Sequence, residues 1–226
     1  DFCLSRGLGD VYKRQVRTAS GVSKVVPGAQ PPSAMRATGE PPVESQAESH
    51  LGLIYSLMQL ADRHEPQMSA HAHLVSDLAA EVARELGCTA QVTRQVATAA
   101  LLHDIGKLGM PDAVLMKTAR LTAGEWIIIR QHPILGAQLL EASPALHEVI
   151  PAVRHHHERW DGAGYPDRLA GTVIPLGARI TSAAEAFGAM VADLPYRARR
   201  DPHAALTELR RCAGTQFDPA IIEALC

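Results

Sequence analysis

An apolar helical run ends abruptly at Ala100–Lys107, ALLHDIGK, in a histidine, an aspartate and, three residues after Asp104, a lysine. No other stretch limits the fold so tightly. Consecutive helical side chains diverge by about 100°, so His103 and Asp104 converge on one point only if that point lies close against the helix end. A metal ion is the commonest occupant of such a point. Gly106 fits a helix C-terminus, and Lys107 beyond it brings a flexible ammonium to the same spot, where it can meet a phosphate oxygen. An isolated HD dipeptide is more often a buried His capping a carbonyl beside a surface Asp–Lys pair. What else in the chain converges there therefore decides the reading.

The rest of the chain predicts helices whose ends carry histidine. A first helix is expected over Ser45–Arg63, with Leu51, Ile54, Leu57, Met58 and Ala61 at spacings of three and four. A second spans Met68–Leu86 and stops at Gly87; its stripe of Leu74, Val75, Leu78, Val82 and Leu86 turns His71 inward. Thr89 caps a third helix, which leads through Val92, Val96, Ala99 and Ala100 into His103. Thr122 and Glu125 form a capping box for a helix from Ala123 to Gln131, with His132 at its end before Pro133. Ser143–Pro144 starts another helix that runs towards His155, His156 and His157. Gly162, Gly164, Pro166, Gly171 and Pro175 make Glu158–Pro175 a loop. Helical pattern resumes over Leu176–Ala192 and is interrupted by Glu185; Asp201–Pro202 and Asp218–Pro219 open two closing helices. No strand alternation occurs, so the expected fold is all-α, a helical bundle with a Gly/Pro-rich loop opposite the His-rich helix ends.

Domain boundaries follow from composition. Residues 1–15 are set aside, because Asp10–Gln15, DVYKRQ, is what a transposon end used in sequencing-library preparation encodes, the mark of an assembly scar. Residues 16–44 read as a disordered linker rich in Pro, Gly, Ser and Ala, leaving 45–226 as one catalytic-sized domain. Twenty-two Lys+Arg against 24 Asp+Glu leave a net charge of −2, no footprint for duplex nucleic acid or an anionic membrane. No apolar run spans a bilayer and no signal peptide is expected. Four scattered cysteines without CxxC spacing suit a reducing cytoplasm.

Candidate ligands stand at His71, His103, Asp104, His132, His156, His157 and Glu185, each at an end or on the inward stripe of a helix. Helical bundles build metal sites this way. Five imidazoles and two carboxylates exceed what one ion takes and match two ions sharing a carboxylate. Mixed N/O ligation without thiolate suits Fe, Mn, Zn or Ni. His50, His64, His147 and His203 read as surface residues, as does His73, while His155 reads as solvated or as a partner of a ligand. Ile127, Ile128 and Ile129 read as core.

With these residues in place the chain resembles the HD-GYP family, a branch of the HD-domain metal phosphohydrolases that hydrolyse cyclic di-GMP. The likeness runs from Ser69 to the C-terminus. It rests on HAHLV at His71, LLHDIGKLGMPD from Leu101 to Asp112, the HP..G pattern ending at Gly136, HHERWDGAGYP from His156 to Pro166, IPLGARI from Ile174, PYR at Pro195–Arg197 and QFDP at Gln216–Pro219. The resemblance implies one metal held by His71, His103, Asp104 and Glu185 and a second by Asp104, His132, His156 and His157, with Asp104 bridging. It implies two divalent transition-metal ions, iron or manganese foremost, and hydrolysis to linear pGpG or GMP. Lys107 and Asp104 are the expected catalytic groups; Lys107, Gly164, Tyr165, Pro166, Arg179 and Arg197 are the expected substrate contacts. An upstream sensor or receiver domain and diguanylate cyclase-type proteins are the expected partners.

Three positions depart from the family pattern. Glu185 stands where Asp is usual, Gln67 where three-metal members tend to carry Glu, and Leu194 where an Arg often precedes PYR. Two alternatives follow. One is an HD-type phosphohydrolase for another cyclic nucleotide. The other is a degenerate docking module, for which Glu185 and the missing Arg argue.

Overall fold

The computed structural model describes residues 52, 54, 56–63, 68–192 and 200–226. The expected scar and linker, most of the first helix, His50, His64, Gln67, Leu194 and Arg197 lie outside the described residues. Among the described residues there are helices and no strands; Ala213 and Phe217 form an isolated bridge. The fold is an all-α bundle.

After helical residues 56–63 come α1 (Met68–Glu85) and α2 (Ala90–Leu102), packed on each other and on α7 (Leu176–Val191). Gly87 takes a φ of 72°, the left-handed conformation that ends α1, and the Thr89 hydroxyl accepts from Val92 N to start α2. Next are a 3-10 turn, Ile105–Gly109, and the short α3 (Asp112–Leu115), neither of them visible in the hydrophobic pattern. The Thr122–Glu125 capping box forms as expected and starts α4 (Ala123–Ile129). At His132 the chain restarts rather than kinks: Pro133 sits in the first turn of α5 (His132–Glu141). The segment after Ser143 splits. A 3-10 stretch, Pro144–Val149, precedes α6 (Ile150–His155), because Pro151 opens a new first turn. Only the 3-10 turn Gly171–Val173 interrupts the expected 158–175 loop. Asp201 and Asp218 cap α8 (Pro202–Arg211) and α9 (Pro219–Leu225).

Two apolar cores hold these elements. One joins Val75, Val82, Val96, Ile180, Leu209, Phe217 and Ile221; the other joins Met58, Leu102, Ile105, Leu140, Val149, Val153 and Ile174. The isoleucine run is a correction. Ile129 is buried, but Ile127 is 64% exposed and Ile128 38%, since α4 lies on the surface and turns one face inward. Leu74 likewise reaches solvent at 38%.

Gly106 also differs from expectation. It does not end a helix; a Cβ there would stand 2.0 Å from the His132 carbonyl oxygen and 2.4 Å from Gly136 N. The 3-10 turn lies directly on the start of α5, and only glycine permits that approach. Asp104 and His132, 28 positions apart in sequence, are thereby brought together.

Candidate metal centre

Three histidines stand just past helix ends, and each bonds back to a carbonyl three residues earlier. Nδ1 of His103 donates to Ala100 O, that of His132 to Ile129 O and that of His156 to Val153 O, all at 2.7 Å. The terminal carbonyls of α2, α4 and α6 lack helical partners, so one bond satisfies each helix end and fixes each ring. With the proton on Nδ1, the neutral rings of His132 and His156 carry their lone pair on Nε2.

These lone pairs converge. His132 Nε2 lies 3.2 Å from Nε2 of both His156 and His157. Among the described residues, the trio of side chains whose ligand atoms all lie within 4.8 Å of one another is His132, His156 and His157. Asp104 joins this trio to the next histidine: Oδ1 is 3.3 Å from His132 Nε2 and Oδ2 is 3.2 Å from His103 Nε2. Neither approach is aligned as a hydrogen bond, and Asp104 Oδ1 and His103 Nε2 are buried without one. Two lone pairs facing each other, beside an unpartnered carboxylate oxygen, are satisfied by a cation. The donor set therefore fits a divalent transition metal.

The far side is looser. The His71 ring centroid is 5.9 Å from that of His103, edge to face, and Glu185 is buried on α7. No second trio within 4.8 Å forms among the described residues around His71, His103 and Glu185. The trio side is pre-assembled, and the Glu185 side is not.

Burial sets the protonation. It pushes His132 and His71 down to about 4, and it holds His156 and His157 well below the usual value with help from neighbouring imidazoles. All four are neutral near pH 7, the form that ligates metal. Burial is also the largest influence on His103, but Asp104 and Glu185 outweigh it and raise that ring to about 9. Glu185 is lifted by burial to about 7. Burial alone would raise Asp104, but Lys107 and His103 hold it well below the carboxylate range. Lys107 is 5% exposed, with Nζ 2.5 Å from Asp104 Oδ2.

The Gly/Pro-rich loop folds over the trio. Tyr165 stacks on His157 with centroids 4.9 Å apart and planes 28° from parallel, and the Tyr165–Pro166 peptide is cis. Gly164 is a packing position, since its Cβ would meet Arg159 N at 2.4 Å and Glu158 Cα at 2.5 Å. Asp167 N donates to buried Glu158 Oε1, and the Asp167 carboxylate takes both Arg154 and His155. His155 is thus a brace for the loop, neither ligand nor solvated. Arg179 is placed elsewhere than expected. It donates to Ile174 O, pairs with Asp218 at 2.5 Å and lies over Trp160, tying α7 to α9 as a structural brace. His73, His147 and His203 are exposed, as expected. Sequence reasoning missed Arg130, whose guanidinium lies 5.3 Å from the Tyr165 centroid.

Known proteins share this architecture. The profile described as "HD domain" matches residues 55–221. A "Cyclic di-GMP phosphodiesterase response regulator RpfG" from Xanthomonas campestris pv. campestris is 40% identical over 70% of this chain and 42% of its own length. A "3'3'-cGAMP-specific phosphodiesterase 2" from Vibrio cholerae is 33% identical over 79% of this chain and 34% of its own. The chain thus spans less than half the length of these relatives. An HDG"Y"P protein from Bdellovibrio bacteriovorus shares the fold, with a TM-score of 0.57 and 24% identity over 70% of this chain and 51% of that one. Divalent metal binding goes with this fold, and the histidine trio supplies the ligand types for it. The chain belongs to the HD domain family.

Proposed function

We propose that this domain is a metal-dependent phosphodiesterase that opens cyclic di-GMP to pGpG and, with further turnover, GMP. The observation that carries the reading is the convergence of His132, His156 and His157 with the unpartnered Asp104 oxygen. His132, His156, His157 and Asp104 would hold the tighter ion. His71, His103, Asp104 and Glu185 would hold a second, weaker one, with iron or manganese preferred. Paired divalent cations supply Lewis acidity at phosphorus and lower the pKa of a coordinated water towards neutrality.

The chain's own groups do the rest. Asp104, held ionised, offers one oxygen to each side of the centre. Lys107 presents positive charge beside it and stabilises the charge that builds on the phosphoryl oxygens in the transition state. Tyr165, with Gly164 and Pro166, closes the face of His157 and keeps bulk water from the ring. Arg197 is retained as a substrate contact from the sequence alone, and Arg179 is not. An upstream sensory or receiver segment and cyclase-type partners would act on this domain from outside it, in the cytoplasm. No helix among the described residues is long and apolar enough to cross a membrane.

The test is chromatographic analysis of cyclic di-GMP incubated with the protein in Mn²⁺ or in anaerobic Fe²⁺, beside 3′3′-cGAMP as competitor. Expected products are pGpG and GMP, lost in Asp104→Ala and His132→Ala. Preference for the mixed dinucleotide would favour the second substrate, which the Vibrio relative's name supports. Binding without turnover at every metal concentration would leave a docking module.

A further inference from the structure

The phosphodiesterase reading leaves unassigned a cation at the rim of the centre. Arg130 closes α4, two residues before His132, and is exposed. Its guanidinium lies over the Tyr165 ring, which itself stacks on His157, so chain connectivity and ring stacking both place it beside the trio. Other arginines nearby are committed to carboxylates: Arg154 to Asp167, Arg159 to Asp161 and Arg179 to Asp218. The Arg130 backbone N–H donates to Trp126 O, but its side chain makes no hydrogen bond or ion pair among the described residues. Its contact with the aromatic face orients the plane but uses none of the N–H donors, which lie at the guanidinium edge.

We infer that Arg130 is a substrate-binding residue that takes a phosphate oxygen of the cyclic dinucleotide on the Tyr165 side of the centre. The inference rests on the phosphodiesterase reading for its ligand but not for its geometry. Cyclic di-GMP carries two phosphodiesters, and one is cleaved at a time. The uncleaved phosphate needs a partner away from the metals. Near the centre, ionised Asp104 repels it, and Lys107 is buried against that carboxylate. Arg130 offers, at an exposed position, the planar two-pronged donor that suits phosphate.

The experiment compares the full chain with Arg130→Ala and Arg130→Lys. It measures the Kd for cyclic di-GMP by calorimetry without divalent metal, KM and kcat with it, and metal content and melting temperature as structural readouts. Arg130→Ala should raise Kd and KM about tenfold or more while kcat falls less than about threefold. Arg130→Lys should recover part of the loss, since it keeps the charge but not the fork. Metal content and melting temperature should stay at parental values.

Unchanged Kd and KM in Arg130→Ala would overturn the inference. So would binding lost only together with metal or fold in both variants, which would make Arg130 structural. A parent that binds without turnover, with Kd weakened in Arg130→Ala, would sink the phosphodiesterase reading and leave this one standing. A parent that does not bind the dinucleotide at all would overturn both.

Discussion

Lys107 is the residue where charge arithmetic makes the clearest prediction. Its ammonium touches the carboxylate that joins the two sides of the centre, so it competes with any cation for Asp104. Lys107→Met should therefore leave metal affinity unchanged or tighter while kcat falls about 10²-fold, because the lost charge acts on the transition state. Elemental analysis beside steady-state kinetics separates the two effects, and loss of metal would mark Lys107 as structural. Protons compete as well. His103, raised to about 9, and Glu185, raised to about 7, both hold protons near neutrality and must release them to ligate. Affinity on the Glu185 side should thus rise from pH 6.5 to 8.5, with protons released to the buffer, whereas the trio, already neutral, should change little over that range. The ligand types at this scale were legible in the sequence because several His, Asp and Glu side chains fell together at the ends or inward stripes of different helices, though any one of them alone reads equally well as a cap. Arg130 was not, because its partner Tyr165 is 35 positions away and exposed arginines are common.

Between elements, Gly106 fixes one approach, that of the 3-10 turn to α5. Gly106→Ala would drive a methyl group into the His132 carbonyl, and backbone cannot yield as a flexible side chain can. The turn and α5 must separate, at a cost of about 3 kcal/mol or more. Thermal unfolding should show that loss, and metal content should fall with it because Asp104 and His132 part. Helix positions were readable from caps and periodicity; Thr89, Thr122, Asp201 and Asp218 all cap as their residue types imply. The contact at Gly106 was not readable. A glycine after HD fits a helix end equally well, and only the approach of a distant segment distinguishes the two roles.

At the scale of the molecule, the centre draws side chains from α1, α7 and the ends of α2, α4 and α6, so folding and metal binding are linked. Added Mn²⁺ should raise the melting temperature in two steps, first as the trio side fills and then, at higher concentration, as the Glu185 side fills. Glu185→Ala should abolish only the second step and Asp104→Ala should weaken both; a single step in the parent would mean one ion. The sequence made the all-α class and the convergence of these helices legible. The inequality of the two sides was not, because identical ligand types gave no measure of how closely each set is drawn together.

The carbonyls of Ala100, Ile129 and Val153 lie in the last turns of their helices and accept from the rings of His103, His132 and His156. Fraying of a last turn therefore swings a ligand away, and keeping the ligand in place keeps the turn wound. The lifetime of a bound ion becomes a clock for the unwinding of three helix ends, read out by amide exchange far more slowly than free helix termini would allow.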